Sequence, residues 1–322
     1  MVLNNKTILI TGGVGSFGSK FVEVVLKKYN PKAIRVFDIN ELKEVEMERK
    51  FQDERLRFFI GDVRDVDRLK MAMRGCDIVV HAAALKHITV CEYNPIEAVK
   101  TNIEGAINIV KAALSEAVER VIALSTDKAV YPVNLYGATK MVMEKIIVQG
   151  NTYAANQNIR FACTRYGNVV ASSGSVIPLF KSQSSTGKIT ITDERMTRFW
   201  ITLEQGVEFV IKSLQRMQGG EIFVPKIPSM RIIDLAEAIA PNAQKEIIGI
   251  RPGEKLHESL ITAEEAKHAK EYEDCFVIEP DFPFWRADEQ KDGKVLPDGF
   301  QYTSDNNTWW LTKEELRKII DV

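Results

Sequence analysis

Cysteine, histidine, surplus charge and long apolar runs are all scarce in this sequence, and each scarcity excludes something. There are four cysteines in 322 residues, Cys76, Cys91, Cys163 and Cys275, widely scattered and without a CxxC pair. That spacing argues against a disulfide framework and a structural zinc site, and it suits a reducing, cytoplasmic setting. The four histidines, His81, His87, His257 and His268, also lack metal-ligand spacing, so no metal is expected. No stretch approaches the ~18 apolar residues of a membrane span, so no membrane partner is expected. The chain runs at once into Lys6-Thr7-Ile8-Leu9-Ile10, too short an apolar stretch for a signal peptide. The formal net charge is −1, a balance that implies no basic face, so nucleic acid is not an expected partner.

What is present is an ordinary globular composition, 45% hydrophobic and 27% charged. Short apolar runs alternate with helical patterns through the first half. The strands read as Thr7–Ile10, Ala33–Phe37, Leu56–Ile60, Asp77–His81, Arg120–Leu124 and Arg160–Arg165. The helices read as Phe17–Lys28, Leu42–Phe51, Ile96–Ala113 and Tyr136–Gly150. Apolar strands each followed by a helix predict an α/β fold, a doubly wound parallel sheet of Rossmann type. This domain is expected over residues 1–170, with 200–225 returning to it as the helix Glu204–Met217 and the strand Glu221–Val224. A smaller α+β domain is expected over 171–322. There 172–175 and 182–187 read as Ser- and Gly-rich loops, and prolines recur from Pro225 onward. The tail from Asp281 to Asn307 has few aliphatics and reads as the least ordered stretch.

Thr11-Gly12-Gly13-Val14-Gly15-Ser16-Phe17-Gly18 follows the first strand and opens the first helix. Gly12, Gly15 and Gly18 suit a tight turn, a close backbone approach to pyrophosphate, and close helix–sheet packing. The helix N-terminus, at Ser16 and Phe17, then offers free N–H groups to the phosphates. Asp38 ends the second strand, where an acid accepts hydrogen bonds from the ribose hydroxyls of NAD and repels the extra phosphate of NADP. A helix cap for the stretch from Glu41 is the structural alternative. Arg35 and Lys43 keep NADP open as the other cofactor. Asp62, with Val63 beside it, is a candidate partner for the adenine. Ala82 and Ala83 are small enough to let the cofactor lie against the fourth strand, although a buried turn explains them equally.

The densest constellation is Ser125-Thr126-Asp127-Lys128 followed by Tyr136-Gly137-Ala138-Thr139-Lys140. Tyr136 and Lys140 share one helix face at i, i+4. A cation there is expected to lower the phenol's pKa and fit it to take a proton from an alcohol as hydride leaves the same carbon.

These residues bring a resemblance with them. Nearly end to end, the chain resembles the extended short-chain dehydrogenases. Within them it resembles the inverting UDP-N-acetylglucosamine 4,6-dehydratases that open pseudaminic acid biosynthesis. The likeness is carried by Leu85-Lys86-His87, Glu92-Tyr93-Asn94-Pro95, Ser125 to Lys128, Asn134 to Lys140, Arg165-Tyr166-Gly167-Asn168-Val169, Arg195 to Trp200, Pro225 to Met230 and Arg251-Pro252-Gly253-Glu254-Lys255. It implies oxidation of the sugar at C4 with Tyr136, removal of the C5 proton by Lys128, and protonation of the leaving C6 hydroxyl by Asp127. A Lys serves as that base if burial or a nearby cation lowers its pKa. The resemblance also puts Lys86 against cofactor and sugar, and Thr126 against the sugar. Asn168, Arg198 and Arg251 would hold the diphosphate, and Glu254 the uridine ribose. The product implied is a UDP-4-keto-6-deoxy-L-hexosamine, and the assembly a homo-oligomer, hexamers being common in the family.

The chain departs from that family at three places. Asp38-Ile39 stands where a phosphate-binding Ser-Arg pair is usual, which favours tightly bound NAD. Tyr131 stands before Pro132 where Asn is usual. Ala171-Ser172-Ser173-Gly174 replaces a usual Gly-Ser-Arg-Gly. The alternatives are an oxidase–epimerase acting at C4 and C5 of an already dehydrated sugar, and a non-catalytic Rossmann binding module.

Overall fold

The computed structural model describes residues 1–154, 157–170, 176–285 and 292–320. Six strands form the parallel part of the main sheet: β1 Thr7–Thr11, β2 Ala33–Asp38, β3 Leu56–Ile60, β4 Ile78–His81, β5 Arg120–Thr126 and β6 Arg160–Tyr166. They lie in the order β3-β2-β1-β4-β5-β6, and Ile222–Pro225 adds a further parallel strand beside β6. Cys275–Ile278, Ala269–Glu271 and Lys294–Val295 continue the same sheet antiparallel. Strands β1 and β4 are wholly buried, as central strands covered on both faces must be. The strand order reverses between β1 and β4, and in such sheets the crevice at the carboxyl ends there binds ligands.

The helices are α1 Ser16–Lys28, α2 Glu41–Phe51, α3 Val66–Met73, α4 Ile88–Tyr93, α5 Pro95–Val99, α6 Gly105–Ser115 and α7 Leu135–Gln149. The periodic stretch 96–113 is not one regular helix. A π-helical turn, Lys100–Glu104, joins α5 to α6. Helix α3, capped by Asp65, and the short α4 are not among the expected helices, although α3 buries Leu69, Ala72 and Met73 at helical spacing. Strand β5 runs two residues beyond the apolar stretch, because Ser125 and Thr126 still pair with Arg165 and Tyr166 of β6.

A second core gathers Ile177, Phe180, Ile191, Trp200, Leu235 and Leu316. Ser182 to Ser184, expected in a loop, end the helix Val176–Ser184, and the hydroxyls of Ser182 and Ser184 turn back to carbonyls one turn earlier. Residues 172–175 lie outside the described residues. Of the tail from Asp281 to Asn307, residues 286–291 lie outside the described residues; most of the described ones are exposed, and Leu296, Tyr302 and Ser304 are buried. Tyr302 is buried between Phe199 and Phe276, with ring centroids 4.7 and 5.1 Å away. Its hydroxyl donates to the Ile227 carbonyl at 2.9 Å. Among the described residues no helix is long and apolar enough to cross a membrane.

Arg165, at the end of β6, is buried. It meets both oxygens of Glu144 on α7 at 2.9 and 2.7 Å, and both oxygens of Glu265 at 3.0 and 2.8 Å. Arg165→Met would leave Glu144 unpaired in a dry environment and Glu265 without its guanidinium, a change that costs about 3–5 kcal/mol. Denaturant unfolding is expected to show a loss of that size; a loss below about 1 kcal/mol would contradict the role given to this triad.

Candidate active site

The glycine loop closes over the strand-order reversal. Gly12 has φ +65°, and a Cβ there would stand 2.8 Å from the Ala83 nitrogen. A Cβ on Gly18 would meet the Gly13 carbonyl oxygen at 2.4 Å, so α1 packs directly on the turn. Gly15 caps α1 without a side chain, and no acidic residue occupies its first turn, so the positive end of the helix dipole is not neutralised there. Phe17 itself stacks towards Phe21. Asp38 accepts from the Val14 N–H at 3.3 Å and the Asn40 N–H at 3.1 Å. The cap of α2 is Asn40, not Asp38. Asp62 is engaged by the Arg64 side chain at 2.7 Å. Burial opposes the effect, but these bonds hold its carboxyl below the usual range. Val63 is buried towards Gly105.

Behind the loop, Thr11 and His81 hydrogen-bond at 2.8 Å, and burial with the Lys140 charge pushes His81 down to about 3. Lys140 is only 4% exposed, and no acceptor among the described residues hydrogen-bonds its ammonium. Burial brings its pKa down to about 8. A helix N-terminus without an acidic residue, a cradle only glycine allows and a buried lysine together fit a dinucleotide.

At the carboxyl end of β5 the chain makes a short helical turn, Asp127–Ala129. Gly137 on α7 packs against it so closely that a Cβ would fall 2.0 Å from the Lys128 carbonyl oxygen. Asp127 is fully buried. Its Oδ1 accepts from Thr126 Oγ1 and from Lys128 Nζ, both at 3.0 Å. Its Oδ2 has no donor among the described residues. Burial raises its carboxyl above the usual range, against the pull of Lys128. Lys128 also stands 3.5 Å from Glu258. Burial alone would lower the Lys128 ammonium, but Asp127 and Glu258 outweigh it and hold it above its ordinary value. The expectation of a depressed lysine is therefore corrected: two carboxylates outweigh both burial and the one opposing cation, Arg198. Tyr136 is likewise pushed up to about 12 by burial, against the pull of Lys128 and of the Thr126 hydroxyl. The cation that acts on the phenol is Lys128 rather than the expected Lys140.

The remaining candidates are less uniform. Asn168 follows β6, and its Oδ1 is buried without a donor; Glu254 Oε2 and Ser125 Oγ are in the same state. Arg251 is half exposed, 3.9 Å from Glu254. Arg198 is not presented as a free fork. Its guanidinium donates to the carbonyls of Thr197, Leu256 and Lys255 at 2.7, 3.1 and 3.0 Å. Lys86 lies on the exposed loop after β4. That loop is held by Asn102 of the π turn, whose side chain bonds both the N–H and the carbonyl of Leu85 at 2.9 Å. Such turns mark functional places in helices, but neither Asn102 nor Glu258 carried a local sequence signal.

Asn134 joins two parts of the site. Its Oδ1 caps α7 by accepting from the Gly137 N–H at 2.7 Å, and its Nδ2 donates to the Gly253 carbonyl at 2.8 Å. Asn134→Asp keeps the cap and removes the donor. Amide exchange across residues 251–255 is expected to quicken roughly five- to tenfold, the worth of about one hydrogen bond. The first turn of α7 should stay protected. Equal exchange in variant and wild type would remove this tie.

Comparison with known proteins agrees with this geometry. The family described as polysaccharide biosynthesis protein matches residues 8–280. The chain is 51% identical over 329 residues to the UDP-N-acetylglucosamine 4,6-dehydratase (inverting) of Campylobacter jejuni, covering 99% of this chain and 98% of that protein. A UDP-glucose 4-epimerase of Rickettsia conorii is 40% identical, covering 98% and 95%. The X-ray structure of Pen from Bacillus thuringiensis matches with a TM-score of 0.91 and 39% identity, covering 99% and 98%. With a family match across most of its length and half its residues shared with an inverting dehydratase, this chain belongs to the polysaccharide biosynthesis protein family.

Proposed function

We propose that this protein is an inverting UDP-N-acetylglucosamine 4,6-dehydratase. The observation that carries the reading is a set of buried polar atoms without partners among the described residues: Ser125 Oγ and Asp127 Oδ2 at the carboxyl end of β5, Asn168 Oδ1 just after β6, and Glu254 Oε2 on the segment that Gly253 ties to Asn134. Buried polar atoms are almost always satisfied, so such a set around the ends of β5 and β6 calls for a polar ligand. A nucleotide sugar supplies hydroxyl and amide N–H donors for the three acceptor oxygens, and Arg251 and Lys86 add cations for the diphosphate.

The residues fit NAD. The Gly12–Gly18 turn and the α1 N-terminus would hold its pyrophosphate, Asp38 the adenosine ribose, and Lys140 the nicotinamide ribose. An extra phosphate on that first ribose would face the Asp38 carboxylate. When bound, NAD would supply the hydride acceptor for C4 of the sugar and then the hydride donor for C6.

The chain's own residues move the protons. Tyr136 rests as a phenol; Lys128 and Thr126 stabilise the phenolate it needs to accept the C4 hydroxyl proton. The Asp127–Lys128 pair rests charged, with one proton to share. Passing that proton from Lys128 to Asp127 creates base and acid together, and burial favours the neutral pair. Lys128 then takes the C5 proton acidified by the C4 ketone, and Asp127 protonates the C6 hydroxyl, which leaves as water. The resting charges are restored. A C4–C5 oxidase–epimerase has no use for an acid at C6, so the raised, wholly buried Asp127 favours full dehydration. A non-catalytic module would leave the whole set idle. The exposed apolar side chains of Val90, Tyr93 and Ile96 support a homo-oligomer.

Incubation with UDP-N-acetylglucosamine, followed by NMR, is expected to give a 4-keto-6-deoxy sugar with a new C6 methyl signal. An unchanged sugar, or a C4 epimer alone, would overturn the reading. Mass analysis of dinucleotide released on denaturation is expected to find mainly NAD(H); mainly NADP(H) would overturn the role given to Asp38.

A further inference from the structure

We propose that Glu258 is a positioning residue for the acid–base pair: a fixed negative charge that keeps one proton on Asp127–Lys128 and holds the Lys128 ammonium in place. What the pair does to a sugar rests on the dehydratase reading; the charge relation itself does not.

Glu258 is 2% exposed, at the start of the segment that leads into the strand Ser259–Ile261. Its Oε1 lies 3.5 Å from Lys128 Nζ and 3.9 Å from Arg198 Nε, and its Oε2 lies 3.0 Å from Lys255 Nζ. The backbone is clamped from both sides. The Glu258 N–H donates to Ser304 Oγ at 2.9 Å, and its carbonyl accepts the Ser304 N–H at 2.8 Å. Ser304 Oγ in turn meets Thr197 Oγ1 at 2.7 Å, and Thr197 meets His257 Nδ1 at 2.8 Å. The carboxylate is thereby fixed at the catalytic turn. Lys255 ties the same segment to that turn by donating to the carbonyls of Asp127 and Val130 at 3.3 and 2.8 Å.

The charges facing this point come from four places. The turn after β5 brings Asp127 and Lys128, and α7 brings Tyr136. The strand Thr197–Ile201 brings Arg198, and Glu258's own segment brings Lys255. Two carboxylates thus serve three cations. Burial opposes ionisation of Glu258, yet Lys128, Arg198 and Lys255 hold its carboxyl below the usual range, so it stays charged. Asp127 has the opposite fate: burial, and then Glu258 itself, raise it. A fixed anion disfavours ionised Asp127 and favours protonated Lys128. Both effects keep a proton on the pair, and the acid–base exchange needs that proton. Removing the anion must lower both pKa values, so the singly protonated pair loses its proton at lower pH. The alkaline fall of activity moves down accordingly.

The test compares wild type, Glu258→Gln and Glu258→Asp, each checked for folding by circular dichroism. Acetylation of Lys128 by acetic anhydride is followed against pH by peptide mass spectrometry, beside the pH dependence of kcat on UDP-N-acetylglucosamine. In Glu258→Gln, Lys128 is expected to become reactive about one pH unit or more below wild type, with the alkaline limb of kcat moving equally. Glu258→Asp keeps the charge but withdraws it by a methylene, and should shift part of the way. That variant decides the matter if the Gln variant does not fold. A Lys128 titration unchanged in the folded variants overturns the proposal, since a purely structural role would lower activity without moving it. Failure of wild type to turn over the sugar would sink the dehydratase reading alone, because acetylation still reports on Glu258.

Discussion

Two carboxylates sharing three cations at the carboxyl end of β5 are the constraint on which the rest of the site depends. Asp127 has no exposure to water, and Glu258 almost none. Buried charges persist only where partners replace the lost solvation. Here Lys128, Lys255 and Arg198 do so, and each is delivered by a different stretch of chain. Lys128 sits one residue after Asp127 on the short turn. Lys255 comes from the segment tied to α7 through Asn134 and Gly253. Arg198 is held in place by three backbone carbonyls.

That arrangement explains features which otherwise look unrelated. Gly137 is needed because α7 must lie on the Lys128 carbonyl; no larger residue allows it. The aromatic packing of Tyr302 keeps the strand Tyr302–Thr303 against Ser259–Ile261, and the adjoining Ser304 clamps Glu258. The buried Arg165 triad joins β6, α7 and Glu265, and so fixes the helix that bears Tyr136 and Lys140. The main sheet places the glycine turn at the reversal beside β1, and later segments gather the buried charges around the end of β5.

Much of this was legible in the sequence where the physics is local. The glycine turn is a matter of backbone geometry over eight residues, and the Tyr136–Lys140 spacing is helical periodicity. Strand identity followed from apolar runs in a sheet covered on both sides. What sequence could not carry were charges acting across more than a hundred residues. Nothing near Glu258 announces its contact with Lys128. The expected depression of the Lys128 pKa weighs burial and a nearby cation; Asp127 beside it is visible in the sequence, but Glu258, which adds to it, is not. Similarly, the π turn at Asn102 hides inside an unbroken apolar pattern, and the Ser182–Ser184 helix end hides behind loop-forming residue types. The composition after Asp281 also does not single out Tyr302, the one aromatic of that stretch among the described residues that is buried, with Phe300 half-buried beside the same ring of Phe276.

The central claim is that Lys128 removes the C5 proton with Asp127 as its acid partner. Lys128→Ala, incubated with UDP-N-acetylglucosamine in deuterated water and followed by NMR, tests it most directly. The account predicts no deuterium at C5 and no 6-deoxy product, because Tyr136 and Lys140 remain but nothing takes the C5 proton. Slow product carrying deuterium at C5 at the rate of its formation would contradict it, and would leave Asp127 or a water as the base.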